Sequence, residues 1–342
     1  MSGPPQDERA QAAAVDRALA QDPRNPRALI MKADLLQRAG DTRGALSHYQ
    51  AALRVAPPAE RLPADLAREL ARVREVCRQA AERYEQSLRA RLGPLDPADR
   101  SVERFSHSLD ILFGKRRIYH QEPRQFYFPG LPQVQFYPRE AFPWLDDVEA
   151  ATDAIRAELL QVLEDDGAFT AYVQSAPGKP RIYGAAMLDN PSWGAFYLWK
   201  DGAAVAENAA RCPRTMAALE GVPLNRLPNR SPSVLFSLLR PHTRIPPHNG
   251  LVNTRLICHL PLVVPPGCGF RVGNETRQWE EGKAWVFDDS IDHEAWNDSD
   301  QTRVILLFEI WRPELTERER ALVQAMFAAI DAEGGQKPAW EI

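Results

Sequence analysis

From about residue 6 to residue 92, apolar residues recur every three or four positions in a background of Ala, Leu, Arg and Glu, with few β-branched residues. That spacing predicts helix throughout. Toward its end, Leu66, Leu70, Val73, Cys77, Tyr84, Leu88 and Leu92 fall on one face and are expected to form a buried stripe. GPLDPADR, residues 93–100, is rich in Pro and Asp and ends the helical texture, so a boundary belongs near it. A short amphipathic helix is expected around Val102 to Lys115. The aromatic, Pro-rich stretch QFYFPGLPQVQFYPREAFPWL then reads as extended and turn-like, and helical spacing returns from about Asp146 to Glu164. Beyond residue 180 the pattern shortens to apolar or alternating runs between Pro, Gly, Asn and Asp: GAFYLWKDG, SVLFSLL, TRLICHLPLVV, GFRVG, KAWVFDD and RVILLFEIW. Such runs predict an all-β sandwich or barrel. ELTERERALVQAMFAAIDA adds a final helix.

The fold class expected from this pattern is α+β and multidomain. A helical domain covers 1–95, a linker with a short helix 96–125, a β domain 126–315, and a C-terminal helix and tail 316–342. Within the helical part, residues 26–59 place Ala33, Gly40, Ala45, Tyr49, Ala52 and Pro57 at the small, turn, aromatic and stop positions of a 34-residue helix–turn–helix unit. The segment resembles one tetratricopeptide repeat; a plain helical bundle is the alternative.

Composition narrows the function classes. A chain of 342 residues can bury a core without staples. Its formal net charge of −4, from 42 Lys and Arg against 46 Asp and Glu, argues against a nucleic-acid partner. Cys77, Cys212, Cys258 and Cys268 make no C-x-x-C pair, which leaves them as reduced thiols rather than a disulfide framework or thiolate zinc site. The start, MSGPPQDERAQAAAVDRALAQ, is polar and acidic where a signal peptide needs a basic and then an apolar segment. No run reaches the ~18 to 20 apolar residues of a membrane span. A cytoplasmic protein is expected.

The β region holds the residues suited to chemistry. His242, His248 and His259 flank or begin one strand region, and His293 follows in DDSIDHEAWND. Neutral imidazole is the commonest ligand for iron and zinc, and two strands of one barrel can bring distant histidines onto one metal. A facial triad would add a carboxylate two residues after the first histidine, and that position is Gly250. Arg303, at the start of RVILLFEIW, reads as a buried guanidinium that needs an acid partner. A ligand carboxylate would serve, with Ser237 adding a hydroxyl; an exposed strand-edge pairing with Asp298 or Asp300 is the alternative. Trp193, Phe196 and Trp199 read as core or rim aromatics, and Asp288, Asp289 and Asp292 as orienters of the His293 ring or as turn caps.

From Ser237 to Glu314 the chain closely resembles the aspartyl/asparaginyl β-hydroxylase family of 2-oxoglutarate oxygenases. The resemblance rests on PPHNG, NTRLICHLPLVVP, GNETRQWEEGKAWVFDDSIDHEAWND and RVILLFEIWRPEL, and WGAFYLWKDG and FPGLP extend it over roughly residues 125–320. It implies a double-stranded β-helix, or jelly roll, that binds Fe(II) through His248 and His293 alone, water replacing the usual carboxylate. It further implies that Ser237 and Arg303 hold the distal carboxylate of 2-oxoglutarate and that His259 lies near its metal-binding end. An N-terminal tetratricopeptide-like region is familiar in this family.

One departure matters. Relatives commonly carry Arg two residues before the matching histidine, where this chain has Ile257; Arg255 shares that strand face and is expected to supply the cation, to cosubstrate or to substrate. The function expected is Fe(II)- and 2-oxoglutarate-dependent β-hydroxylation of an Asp or Asn residue in a peptide or protein, with the helical repeats available to a protein partner. The alternatives are the same chemistry on a small metabolite or lipid, and a non-catalytic repeat-containing adaptor.

Overall fold

In the computed structural model, residues 6–93, 95, 99–175 and 187–334 are described. The chain divides into two compact units, Met1–Arg116 and Arg117–Ile342. Among the described residues no helix is long and apolar enough to cross a membrane.

The first unit is helical, with α1 (Gln6–Gln21), α2 (Pro26–Arg38), α3 (Thr42–Val55), α4 (Ala64–Leu92) and α5 (Arg100–Leu112). Local chemistry sets the ends of the α2–α3 hairpin. Asn25 accepts from the Ala28 N–H and Asp41 from the Gly44 N–H, at 3.1 and 2.8 Å, while Gly40 takes the turn at φ +83°. Ala33, Ala45, Tyr49 and Ala52 are buried with Leu66, Leu70 and Val73 of α4. The expected stripe on α4 holds only as far as Cys77, and Tyr84 and Leu92 are exposed. The reason is length, since α4 has 29 residues and α3 only 14. Farther along, α4 meets residues at and just after the end of α5: Arg89 pairs with Asp110, Lys115 with the buried Glu85, and Tyr84 lies edge-on to Phe113. Of the expected break at 93–100, Pro94 and residues 96–98 lie outside the described residues.

The second unit opens with α6 (Leu145–Ala150) and α7 (Thr152–Leu163), then β1 (Thr170–Ala171), β2 (Trp193–Lys200) and β3 (Ala203–Ala204). Two short helices, α8 (Ala206–Arg211) and α9 (Pro213–Ala218), precede β4 (Val234–Leu239), β5 (Thr243–His248), β6 (Arg255–Val263) and β7 (Cys268–Val272). After them come β8 (Glu275–Arg277), β9 (Trp285–Phe287), β10 (His293–Asn297), β11 (Arg303–Trp311) and α10 (Glu317–Gly334). A seven-stranded sheet runs β1-β2-β4-β11-β6-β9 with β3 on β2, and a four-stranded sheet runs β5-β10-β7-β8. All ladders are antiparallel.

The period of two explains which side chain goes where. Leu256, Cys258 and Leu260 of β6 and Val304, Leu306 and Phe308 of β11 pack with Leu145, Val148, Ile155 and Leu159 of α6 and α7. Helices therefore cover the outer face of the large sheet. Ile257 and Ile305, from the alternate positions, meet Ile245, Phe270 and Ala295 of the small sheet, and so close an inner core. Two antiparallel sheets enclosing a core in this way form a double-stranded β-helix. The named apolar runs became β2, β4, β6, β7, β9 and β11. The strands β5 and β10 were not legible as strands: β5 is TRIPPH, whose two prolines are tolerated because it lies at a sheet edge, and β10 is the polar HEAWN.

Candidate active site

The two sheets enclose a cleft lined by side chains of β2, β4, β5, β6, β7, β9, β10 and β11. His248 ends β5, His293 begins β10, and the two are direct partners in the ladder. Their ring centroids lie 4.1 Å apart. His248 Nδ1 meets the Pro246 carbonyl at 2.8 Å and His293 Nδ1 meets the Ile291 carbonyl at 3.0 Å. A carbonyl only accepts, so both Nδ1 atoms carry the proton and both Nε2 atoms keep their lone pairs. Nε2 is then the atom of each ring suited to a metal. Burial, and then the neighbouring imidazole, push His248 down to about 3. Burial lowers His293 to about 4. Both rings are neutral at physiological pH, the form that ligates a metal.

No cluster of three or more His, Cys, Asp or Glu side chains among the described residues is placed to hold a metal ion. Gly250 explains why the first histidine brings no carboxylate of its own. A Cβ there would stand 2.1 Å from Asp289 Oδ2, and the Gly250 N–H already donates to the Asp289 carbonyl at 2.6 Å. Gly250→Ala must displace that carboxylate, with an expected loss of about 1–3 kcal/mol. Thermal unfolding checks it, and an unchanged melting temperature would show that Asp289 moves freely.

At one end of the cleft, Arg303 is 1% exposed and has no carboxylate partner among the described residues. Its Nη1 donates to the Ser237 carbonyl at 3.2 Å, its guanidinium lies 4.9 Å from the Trp279 ring centroid, and its Nε has no partner. Burial lowers its pKa to about 10. The edge alternatives are occupied: Asp298 pairs with Arg244 and Asp300 with His242. Beside Arg303, the Ser237 hydroxyl accepts from Trp193 Nε1 at 3.3 Å. His259 is buried against Phe270 and Phe287 with Nδ1 unpartnered. Its pKa lies well below the usual value because of burial and then the Arg303 charge.

At the other end stands Arg255, on the same strand face as Ile257 and His259 as expected. It is not an open cation. Its Nη2 donates to Asp289 Oδ2 at 2.9 Å and its Nη1 to Glu309 Oε1. All three residues are buried. Burial raises the Glu309 carboxyl, and the Arg255 charge opposes that rise.

With this geometry in view, the comparisons with known proteins can be placed on the chain. A family profile described as aspartyl/asparaginyl β-hydroxylase matches residues 149–313. This segment belongs to the aspartyl/asparaginyl β-hydroxylase family. The chain is similar to human aspartyl/asparaginyl beta-hydroxylase, 34% identical over 192 residues, which is 55% of this chain and 25% of that protein. It is also similar to ornithine lipid ester-linked acyl 2-hydroxylase of Rhizobium tropici, at 34% over 187 residues, covering 54% of this chain and 62% of the relative. Human aspartate beta-hydroxylase domain-containing protein 2 matches at 32% over 213 residues, 61% of this chain and 55% of that protein. The chain thus spans less than two thirds of each of these relatives.

Within the β-hydroxylase segment the structure brings His248, His293, Ser237, His259, Arg303 and Arg255 to one cleft. The neighbouring residues divide between the readings given to them. The His293 ring is fixed by the Ile291 carbonyl and by none of the Asp288, Asp289 and Asp292 side chains. Asp288 caps its own turn, accepting from the Ser290 N–H and hydroxyl, and also binds Arg312, while Asp289 binds Arg255 and Asp292 binds Arg271. Trp193 belongs to the inner core, as a core or rim aromatic should, and also lines the cleft, stacked on Tyr172 with centroids 4.1 Å apart. Glu309 was missed as a partner of Arg255, although its period-two spacing from Arg303 on β11 puts it on the face toward the cleft.

Proposed function

We propose that the β domain is an Fe(II)- and 2-oxoglutarate-dependent hydroxylase. The observation that carries the reading is the pairing, across one cleft, of two neutral imidazoles held through Nδ1 and a buried guanidinium with no carboxylate partner among the described residues. These residues fit the groups proposed. His248 and His293 would hold the metal through Nε2. Iron bound there would supply the redox chemistry that couples oxidative decarboxylation of 2-oxoglutarate to hydroxylation of a C–H bond. The reaction consumes O₂ and yields succinate and CO₂, one oxygen atom entering succinate and the other the product hydroxyl.

The remaining work falls to side chains. Arg303 would pair with the distal carboxylate and the Ser237 hydroxyl would donate to it, a charge-assisted contact in a site that excludes water. Trp279 under the guanidinium and Trp193 on the Ser237 hydroxyl keep both groups in position. Neutral His259 beside them can offer a hydrogen bond without a competing charge. The names of the human and Rhizobium relatives include both peptide side chains and a lipid acyl chain as targets. An Asp or Asn residue of a peptide or protein is the reading adopted here.

Succinate release with purified protein tests this. It is expected to need Fe(II), 2-oxoglutarate and O₂ together, and to stop with an iron chelator. Full turnover in the presence of chelator would overturn the proposal.

A further inference from the structure

The final helix, α10, is apolar on the side where a surface helix is ordinarily charged. Its inward side is accounted for. Val323 and Phe327 are buried with Leu251, Val252, Trp311 and Leu315, the Gln324 amide donates to the Arg226 carbonyl at 2.7 Å, and Asp331 pairs with Arg230. The first turn is closed by a reciprocal cap: Glu319 accepts from the Thr316 N–H, and the Thr316 hydroxyl accepts from the Glu319 N–H. At ~100° per residue, Arg318, Leu322, Ala325, Ala329 and Glu333 then lie on the opposite side, away from this core. All five are exposed, Leu322 by 57%. From Ala321 to Ile330 the helix carries no charged residue.

A helix that is apolar all round belongs in an interior, so the outer side of α10 calls for a cover. Two features of that side say what fits it. Its ends carry opposite charges, Arg318 in the first turn and Glu333 in the last, with apolar residues between them. The line is also symmetric about its middle. The midpoint of Arg318 and Glu333 is that of Leu322 and Ala329 as well, and falls between Ala325 and Met326. A second α10 laid antiparallel over the first therefore sets Arg318 against Glu333 at both ends, whereas a parallel one would set like charges together. The antiparallel pair also brings each Leu322 over Ala325, Ala328, Ala329 and Ala332 of the facing helix. These four are spaced i, i+3, i+4 and i+7, the outline of a hole that accepts a knob. Alanine at all four lets two helix axes approach to about 8 Å.

We propose that the outer side of α10 is the contact face of an antiparallel, two-fold dimer of this chain. The inference stands on the fold alone and goes beyond the oxygenase reading. A self-complementary patch is what two-fold symmetry requires, since each residue meets its mirror position on the same surface. Two helices ~27 Å long make a small interface, well under the roughly 1,600 Å² of a standard one, so association in the micromolar range is expected.

Sedimentation of the full chain from about 1 to 200 µM, a range that brackets such a dissociation constant, tests the proposal. Wild-type protein is expected to pass from the mass of one chain toward that of two. Leu322→Asp lowers a carboxylate into each alanine hole and is expected to weaken association by about 100-fold or more. Arg318→Glu sets like charges together at both ends and is expected to weaken it about tenfold, and Arg318→Glu with Glu333→Arg is expected to restore it. These positions are exposed and take no part in the buried side of α10, and circular dichroism checks that each variant is folded. A wild type that stays monomeric over the whole range, association indifferent to Leu322→Asp, or a charge swap that restores nothing would overturn the proposal. In a monomer, slow amide exchange along α10 would assign the face to another segment of the same chain, and fast exchange would show it uncovered.

Discussion

Replacing Arg303 by methionine is expected to raise the 2-oxoglutarate concentration needed for half-maximal succinate release by about 30-fold to several-thousand-fold. That range corresponds to the ~2 to 5 kcal/mol at stake when one partner of a buried charge pair is removed. The side chain is 1% exposed, sits on Trp279 and donates to a backbone carbonyl, and no carboxylate among the described residues balances its charge. Its pKa, lowered to about 10 by burial, points the same way: the charged form is costly until an anion arrives. Stability should therefore move opposite to affinity. Methionine of similar length removes an uncompensated buried charge, and the variant without ligand is expected to melt at or above the wild-type temperature. Added 2-oxoglutarate should raise the melting temperature of wild-type protein and leave that of the variant unchanged. A variant that melts lower and keeps its affinity would show that Arg303 is a structural cation, and the cosubstrate would have to be held elsewhere.

What the sequence made legible follows from where side-chain chemistry and backbone pattern agree. The strands that cross the large sheet were readable because both faces are buried: RLICHLPLV and RVILLFEIW are long and apolar, and the only charged or polar residues inside them are those that face the cleft. Arg303 could be read as an acid-seeking cation for that reason. The small sheet was opaque. β5 carries two prolines that ordinarily argue against a strand, and β10 alternates His, Ala and Asn inward with Glu and Trp outward, so it looks polar. The two histidines were therefore found through the family resemblance and their residue type, whereas their contact came from a ladder that periodicity did not reveal.

Arg255 shows a different limit. Period two placed it on the cleft face, yet its charge state depends on two acids that reach it from other segments, Asp289 on the turn before β10 and Glu309 on β11. A cation inferred from one strand cannot be called available until neighbouring strands are counted. Gly250 had the opposite fate. Its lack of a side chain, read as a missing ligand, is also a packing requirement, because the Asp289 carboxylate fills the space.

Metal content should separate the paired histidines from the third one. With His248 and His293 converging, and no further His, Cys, Asp or Glu among the described residues completing a three-residue cluster, each imidazole would carry about half of the protein's grip on the proposed iron. Either His248→Ala or His293→Ala is therefore expected to reduce bound Fe(II) or Mn(II), measured anaerobically after desalting, from a full equivalent to background, and to abolish succinate release. His259→Ala is the control. Its ring is packed between Phe270 and Phe287 on the large sheet, on the side where the Arg303 charge is felt. That variant should retain the metal and lose affinity for 2-oxoglutarate. The His248 and His293 rings also meet Trp193 and Phe287 of the large sheet, at centroid distances of 6.2 and 5.8 Å, so alanine at either position removes some packing between the sheets. Melting temperatures measured without metal therefore accompany the metal analysis, so that loss of metal is not mistaken for loss of fold. Metal kept at full occupancy by the His248→Ala, His293→Ala double variant would place the binding site elsewhere, and the pairing of imidazoles with Arg303 would lose its meaning.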